Sequence, residues 1–130
     1  MQPDIHFAKG ERFEQAQTKL SSTTDWELAI EGCYYAAFQF ILAGTAWHGV
    51  RHSDSHPHAE AVKLLTQAGA PQELRTAWSA LESARSGRVY GKQADGGETE
   101  RSRERVRQIK AWALLARPVP DAGPSGGASS

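Results

Sequence analysis

Apolar residues recur three and four apart through most of the first 117 positions, the period of helices that bury one face. In segment 11–20, Phe13, Ala16 and Leu20 make one such stripe, with Gly10 as a weak point before it. Segment 25–47, DWELAIEGCYYAAFQFILAGTAW, follows Thr24, which stands three residues before Glu27, the spacing of a reciprocal hydroxyl and carboxylate cap. Its apolar residues Ile30, Cys33, Tyr34, Ala37, Phe38, Ile41 and Leu42 cover more than one stripe, which predicts a long central helix buried on several sides. The stretch HGVRHSDSHP at 48–57 has no period and reads as a loop, while Pro57, lacking an amide hydrogen, suits a helix start. Ala59, Val62, Leu65 and Ala68 mark a short helix stopping at Gly69. Pro71 starts another, in which Leu74, Ala77, Trp78 and Leu81 share a face to about Gly87. Residues 91–97, GKQADGG, are loop by composition, and a last helix from about Glu98 turns Val106, Ile109, Trp112 and Ala113 inward.

Composition narrows the class. Alanine occurs 20 times against nine for Val and Ile together, which favours helix because β-branched residues lose χ1 freedom there. The expected fold is all-α, an antiparallel up-and-down bundle of four to five helices without a sheet. Residues 1–117 would form a single domain, and 118–130, PVPDAGPSGGASS, a disordered tail with too little apolar surface to offset its ordering entropy. No window approaches the roughly 18 consecutive apolar residues of a membrane span, and the start lacks a basic stretch leading into an apolar run. No membrane association is expected, and a cytoplasmic location is. The single cysteine, Cys33, excludes an intrachain disulfide and a multi-cysteine zinc site, and suits a reducing compartment.

Zero net charge hides an asymmetry. Residues 1–84 hold six Lys or Arg against ten Asp or Glu, whereas residues 85–117 hold nine against four. A basic surface of that size attracts phosphate, and it would equally complement an acidic partner or the acidic half of a second copy. Within it, Arg85 is anomalous: continuing the Leu74, Trp78, Leu81 stripe by four residues brings this charge onto the apolar face. Either its stem packs and its head snorkels to water in the last helical turn, or the stripe passes into a cleft where the guanidinium meets a phosphate or carboxylate. Glu31, one turn before Tyr35, would reach Arg85 if their helices were neighbours.

The run Cys33-Tyr34-Tyr35-Ala36-Ala37-Phe38 in a long second helix, His56 before a short helix, Ala84-Arg85 followed by Tyr90-Gly91, and a final charged helix together resemble the HEPN family (higher eukaryotes and prokaryotes nucleotide-binding). The likeness covers most of residues 13–116. It implies a small antiparallel helical bundle, a homodimer, and in many bacteria a toxin paired with a minimal nucleotidyltransferase as antitoxin. Members that cut RNA carry an Arg, four to six residues, then a His where the penultimate helix ends, and cleave without metal at a dimer cleft. The aligned set here is Arg85-Ser86-Gly87-Arg88-Val89-Tyr90, with Tyr in place of His. The resemblance thus makes Arg85 and Tyr90 the candidate catalytic pair of a metal-independent endoribonuclease. Arg85, Arg88 and Tyr90 become the candidate phosphate or nucleic-acid contacts, supported by Glu31, Tyr35 and His56. A phenol with pKa near ~10 is a poor general base at neutral pH beside an imidazole near ~6.5, so binding survives the substitution better than catalysis.

Other constellations carry less. Arg51 with His56 or His58 also has the Arg-to-His spacing, which this composition produces about once by chance. His48, His52, His56 and His58 cluster in a polar loop segment with no cysteine near, where histidines suit solvation, so neither a metal nor another cofactor is expected. Glu27 and Glu31 lack the further acidic groups of a two-carboxylate site and suit a solvated or arginine-pairing role. Arg101, Arg103, Arg105 and Arg107 alternate with Glu100 and Glu104 in reach of pairing along one helix. The sequence therefore predicts an RNA- or nucleotide-binding protein. The alternative is a non-enzymatic interaction or dimerisation module built on the Trp78 stripe and the basic last helix.

Overall fold

A computed structural model describes residues 2–50, 60–86 and 96–119. Five helices hold about four fifths of them: α1 (Pro3–Thr18), α2 (Trp26–Trp47), α3 (Ala61–Gln67), α4 (Gln72–Arg85) and α5 (Gly97–Ala116). No strand occurs among the described residues, so the all-α expectation holds. The proposed tail beyond residue 119, the helix start at Pro57, and Arg51, His52, His56, His58, Arg88 and Tyr90 lie outside the described residues.

The central helix is α2, which packs against each of the others. It runs antiparallel to α1, since Phe7 meets Phe40 while Phe13 meets Tyr35. It also runs antiparallel to α4, where Trp78 meets Phe38 and Arg85 meets Glu31. Burial on several sides follows from its composition: Ala29, Ala36, Ala37, Phe40, Ile41 and Ala43 are wholly inaccessible. Small residues let a second long helix approach. A Cβ added at Gly44 would stand 3.0 Å from Ala113 Cα and 2.6 Å from the Trp112 ring, so α5 crosses α2 here at backbone distance. The predicted inward faces of α4 and α5 are observed, with Leu74, Ala77, Trp78, Leu81, Val106, Ile109, Trp112 and Ala113 all buried.

Three local expectations are corrected. The first helix begins at Pro3, not after Gly10, because proline suits the first helical position. Gly10 is inside it, where any Cβ would fall 2.7 Å from the Phe40 ring. Its buried residues are His6, Phe7, Gly10 and Gln17, leaving Phe13 at 39% exposure and Ala16 exposed. The second correction concerns the start of α2, which has no Thr24 and Glu27 cap. Instead the Ser21 amide donates to Asp25 Oδ2 at 2.9 Å, and Ser21 Oγ accepts from the amides of Thr23 and Thr24. Third, Val62 is exposed and Leu64 takes the inward position beside Leu65 on α3.

No helix among the described residues is long and apolar enough to cross a membrane.

Candidate functional site

At the end of α4 the buried stripe emerges at the surface. Trp78 is fully buried and stacks on Tyr34 with ring centroids 4.8 Å apart. The Arg85 guanidinium covers the same Tyr34 ring at 4.4 Å and lies 5.5 Å from Tyr35. Tyr34 and Tyr35 meet edge to face at 5.6 Å, so two consecutive residues of α2 present aromatic surface to one cation. Arg85 Nε donates to both carboxylate oxygens of Glu31 at 3.2 Å, and Nη2 donates to the Tyr35 hydroxyl at 3.3 Å. Glu31, Tyr35 and Arg85, three of the residues singled out in sequence, are thus brought together by α2 and α4.

The pKa values of Arg85 and Tyr34 are shifted. The hydrogen bond that Arg85 donates to Glu31 outweighs partial burial and holds the Arg85 pKa above its ordinary value. Burial pushes the Tyr34 phenol up, against the opposing charge of Arg85, so it is a neutral phenol at physiological pH. It serves as a ring and a hydroxyl, not as a base. Arg85 keeps 36% of its side chain exposed. It opens on a groove of about 380 Å³ lined by Tyr34, Ser79, Glu82, Ser83, Arg85 and Ser86. Because Arg85 is in the last turn of α4, the helix carbonyls there repel an anion. Any anion held in the groove therefore depends on the guanidinium itself.

The basic stretch has a different fate. Every Lys or Arg described between 85 and 117 has a carboxylate within ion-pair distance. Arg101 and Arg105 share Glu98, Arg103 takes Glu100, and Arg107 takes Glu104. Lys110 bonds Glu14 at 2.8 Å and Arg117 lies 3.6 Å from Asp4, so acidic residues of α1 answer basic residues of α5. The charge asymmetry of the sequence is in large part an internal complement between its two halves. No broad basic track remains on α5.

No family model, curated protein or solved structure matches the chain significantly. What the site can do follows from its own geometry.

The remaining candidates are quickly placed. His48 stacks on Trp112 at 4.5 Å, and no cluster of metal-ligating side chains occurs among the described residues. Glu27 is exposed near the start of α2. Cys33 is fully buried, and burial pushes its thiol up to about 12, which makes it inert as a nucleophile at neutral pH. Sequence reasoning missed Tyr34 as the inner wall of the site, although its pairing with Tyr35 was the visible signal. It also missed Ser79 and Ser83, whose spacing of four on α4 places them beside the Arg85 groove.

Proposed function

We propose that the chain is an RNA- or nucleotide-binding protein of HEPN type, which grips a phosphate with Arg85. One observation carries this reading. The guanidinium is oriented by a carboxylate, a hydroxyl and two aromatic rings, yet its side chain stays 36% exposed and lines an open groove. An arginine that served only to close the bundle would be enclosed, as Arg103 is at 12%. Arg88 and Tyr90, shortly after it in sequence, are proposed to complete the phosphate contacts. Following the resemblance, the protein would act as a homodimer and as the toxin-like partner of a minimal nucleotidyltransferase. If cleavage occurs, a ribose 2′-hydroxyl loses its proton to solvent and attacks the adjacent phosphorus, the P–O5′ bond breaks to leave a 2′,3′-cyclic phosphate and a 5′-oxygen that takes up a proton, and Arg85 stabilises the charge developing on the phosphate oxygens. The function we favour is binding, because neither Tyr34 nor an unperturbed Tyr90 phenol would take up the hydroxyl proton at neutral pH.

A second reading, a protein-interaction or dimerisation module, is favoured by the internal pairing along α5. Titration of labelled single-stranded RNA and of ATP at two salt concentrations separates the two. The binding reading expects affinity that weakens with salt and is lost in Arg85→Ala, while an interaction module binds neither ligand. Cleavage that persists in chelator and disappears in Arg85→Ala would establish the nuclease.

A further inference from the structure

On the other side of Tyr35 from the Arg85 groove, a second groove of about 470 Å³ runs between α1 and α2. It is lined by Lys9, Arg12, Phe13, Ala16, Tyr35 and Gln39. The α1 members are spaced to fall on one helical face, which flanks the buried His6, Phe7, Gly10 and Gln17. Phe13 and Tyr35 lie side by side, ring centroids 5.8 Å apart and 31° from coplanar, and form an aromatic floor. Phe13 is 39% exposed although it is the largest apolar residue on that face of α1.

The rim differs from α5 in its charge. Lys9 and Arg12 have no carboxylate within ion-pair distance among the described residues, in contrast to every cation described on α5. Gln39, which also lines the groove, has Oε1 2.7 Å from His6 Nδ1, so its carbonyl is engaged and its amide group remains a donor.

We propose that this groove is the subsite for one nucleotide unit adjoining the phosphate at Arg85. The base stacks on Phe13 and Tyr35, Gln39 donates to an acceptor on the base edge, and Lys9 and Arg12 hold the phosphate on the far side. Flat π surface with uncompensated cations beside it selects an anion that is also aromatic, the combination used by single-strand binding surfaces. Self-association through the same groove fits less well. A two-fold interface would bring both copies of Lys9 and Arg12 into one desolvated patch, and no carboxylate lines it. Tyr35 joins the two grooves, since its ring floors this one and its hydroxyl accepts from Arg85. The subsite rests on the reading of Arg85 as a phosphate contact.

The test is a fluorescence-anisotropy titration with a short labelled oligouridylate, the same chain with abasic residues, and uridine monophosphate as competitor. Phe13→Ala should weaken the oligouridylate about 5- to 100-fold, and Phe13→Trp should bind at least as well as the wild type. The abasic chain should bind weakly and be indifferent to Phe13→Ala. Replacing both Lys9 and Arg12 by Ala should make the slope of log affinity against log salt shallower by about 1.4, as expected for two lost phosphate contacts on a single strand. Tighter binding of the oligomer than of the monophosphate assigns the subsite to RNA; equal binding assigns it to free nucleotide. Binding that depends on Arg85 but not on Phe13 or on the base overturns the subsite and leaves the Arg85 reading standing. No binding of any of these ligands by the wild type overturns both. Phe13→Ala that lowers the sedimenting mass while leaving RNA affinity unchanged overturns the subsite by giving the groove to a second copy. Far-UV circular dichroism checks that each variant remains helical.

Discussion

Arg103, within α5, and Arg85, in the last turn of α4, each reach across to a neighbouring element, and they are used in opposite ways. Arg103 has 12% of its side chain exposed and makes four hydrogen bonds, to Gln17 Oε1, the carbonyls of Gln17 and Leu20, and Glu100. It ties α5 to the end of α1 and to the turn after it, where helix carbonyls lack intrahelical partners. Arg85 has 36% exposed and engages Glu31 through Nε and Tyr35 through Nη2, with its remaining surface on Tyr34 and an open groove. A guanidinium has five donors in a fixed fork, so the share already committed separates a structural arginine from one able to receive a ligand. The same contrast holds between regions: the α1–α5 side is closed by ion pairs, whereas the α1–α2 groove is lined by Lys9 and Arg12 and the α2–α4 groove by the part-exposed Arg85.

Arg103→Met should break this comparison most visibly. Two backbone carbonyls and two side-chain groups lose a charged donor in a largely enclosed site, for a destabilisation of about 2–3 kcal/mol in urea unfolding. Arg85→Met should cost less than about 1 kcal/mol, because its pair with Glu31 is solvent-screened. Equal losses for the two variants would show that Arg85 is as structural as Arg103, and the phosphate reading would then lose its support.

The bundle was legible in the sequence because it depends on periodicity, which needs no knowledge of partners. The inward faces of α4 and α5 follow from residues such as Trp78 and Ile109 recurring at helical spacing. Failure came where a residue's role depends on what lies across from it. Gly10 looks like an interruption until Phe40 is placed against it. Gln17 is 3% exposed because Arg103, 86 residues later, reaches over to it. The same holds for charge. The basic excess of residues 85–117 suggested an outward electrostatic surface, since composition cannot reveal that Glu11, Glu14 and Asp4 of α1 face it. The Glu31, Tyr35 and Arg85 cluster was reachable from sequence, as one-turn spacing on α2 and the last turn of α4 aligned once those helices were taken as neighbours.

Alkaline titration sharpens the comparison through two consecutive residues, Cys33 on the closed side and Tyr34 on the open one. Burial raises the Cys33 thiol from 9.0 to about 12, and burial also raises the Tyr34 phenol above 10.0. For Lys110, burial acts to lower the pKa, but the hydrogen bond and charge of Glu14, with Glu11, prevail and raise it above 10.5. In each case the folded state holds its proton more tightly, so stability is fully present below the unfolded value and is lost as pH rises toward the folded one. From about pH 9 the wild type should lose stability, with the Cys33 contribution approaching about 1.4 kcal/mol per pH unit well above the unfolded pKa. Cys33→Ala should delay the onset to about pH 10, where Tyr34 and Lys110 begin to act. An unchanged onset in that variant would mean that the thiol ionises without unfolding the core.

The smallest effect tests what Glu31 contributes. If its carboxylate mainly orients Arg85, Glu31→Gln should retain the fork, since a Gln carbonyl still accepts from Nε, while removing a negative charge beside the proposed phosphate site. RNA affinity should then rise about two- to threefold at low salt, in line with the modest strength of an exposed ion pair, and the gain should vanish as salt screens it. Stability should change by only a few tenths of a kcal/mol. A loss of affinity in Glu31→Gln, comparable to that in Arg85→Ala, would instead mean that the full ion pair is needed to hold the guanidinium over Tyr34. The two outcomes differ in sign, so this small effect decides whether Glu31 competes with the ligand or prepares its site.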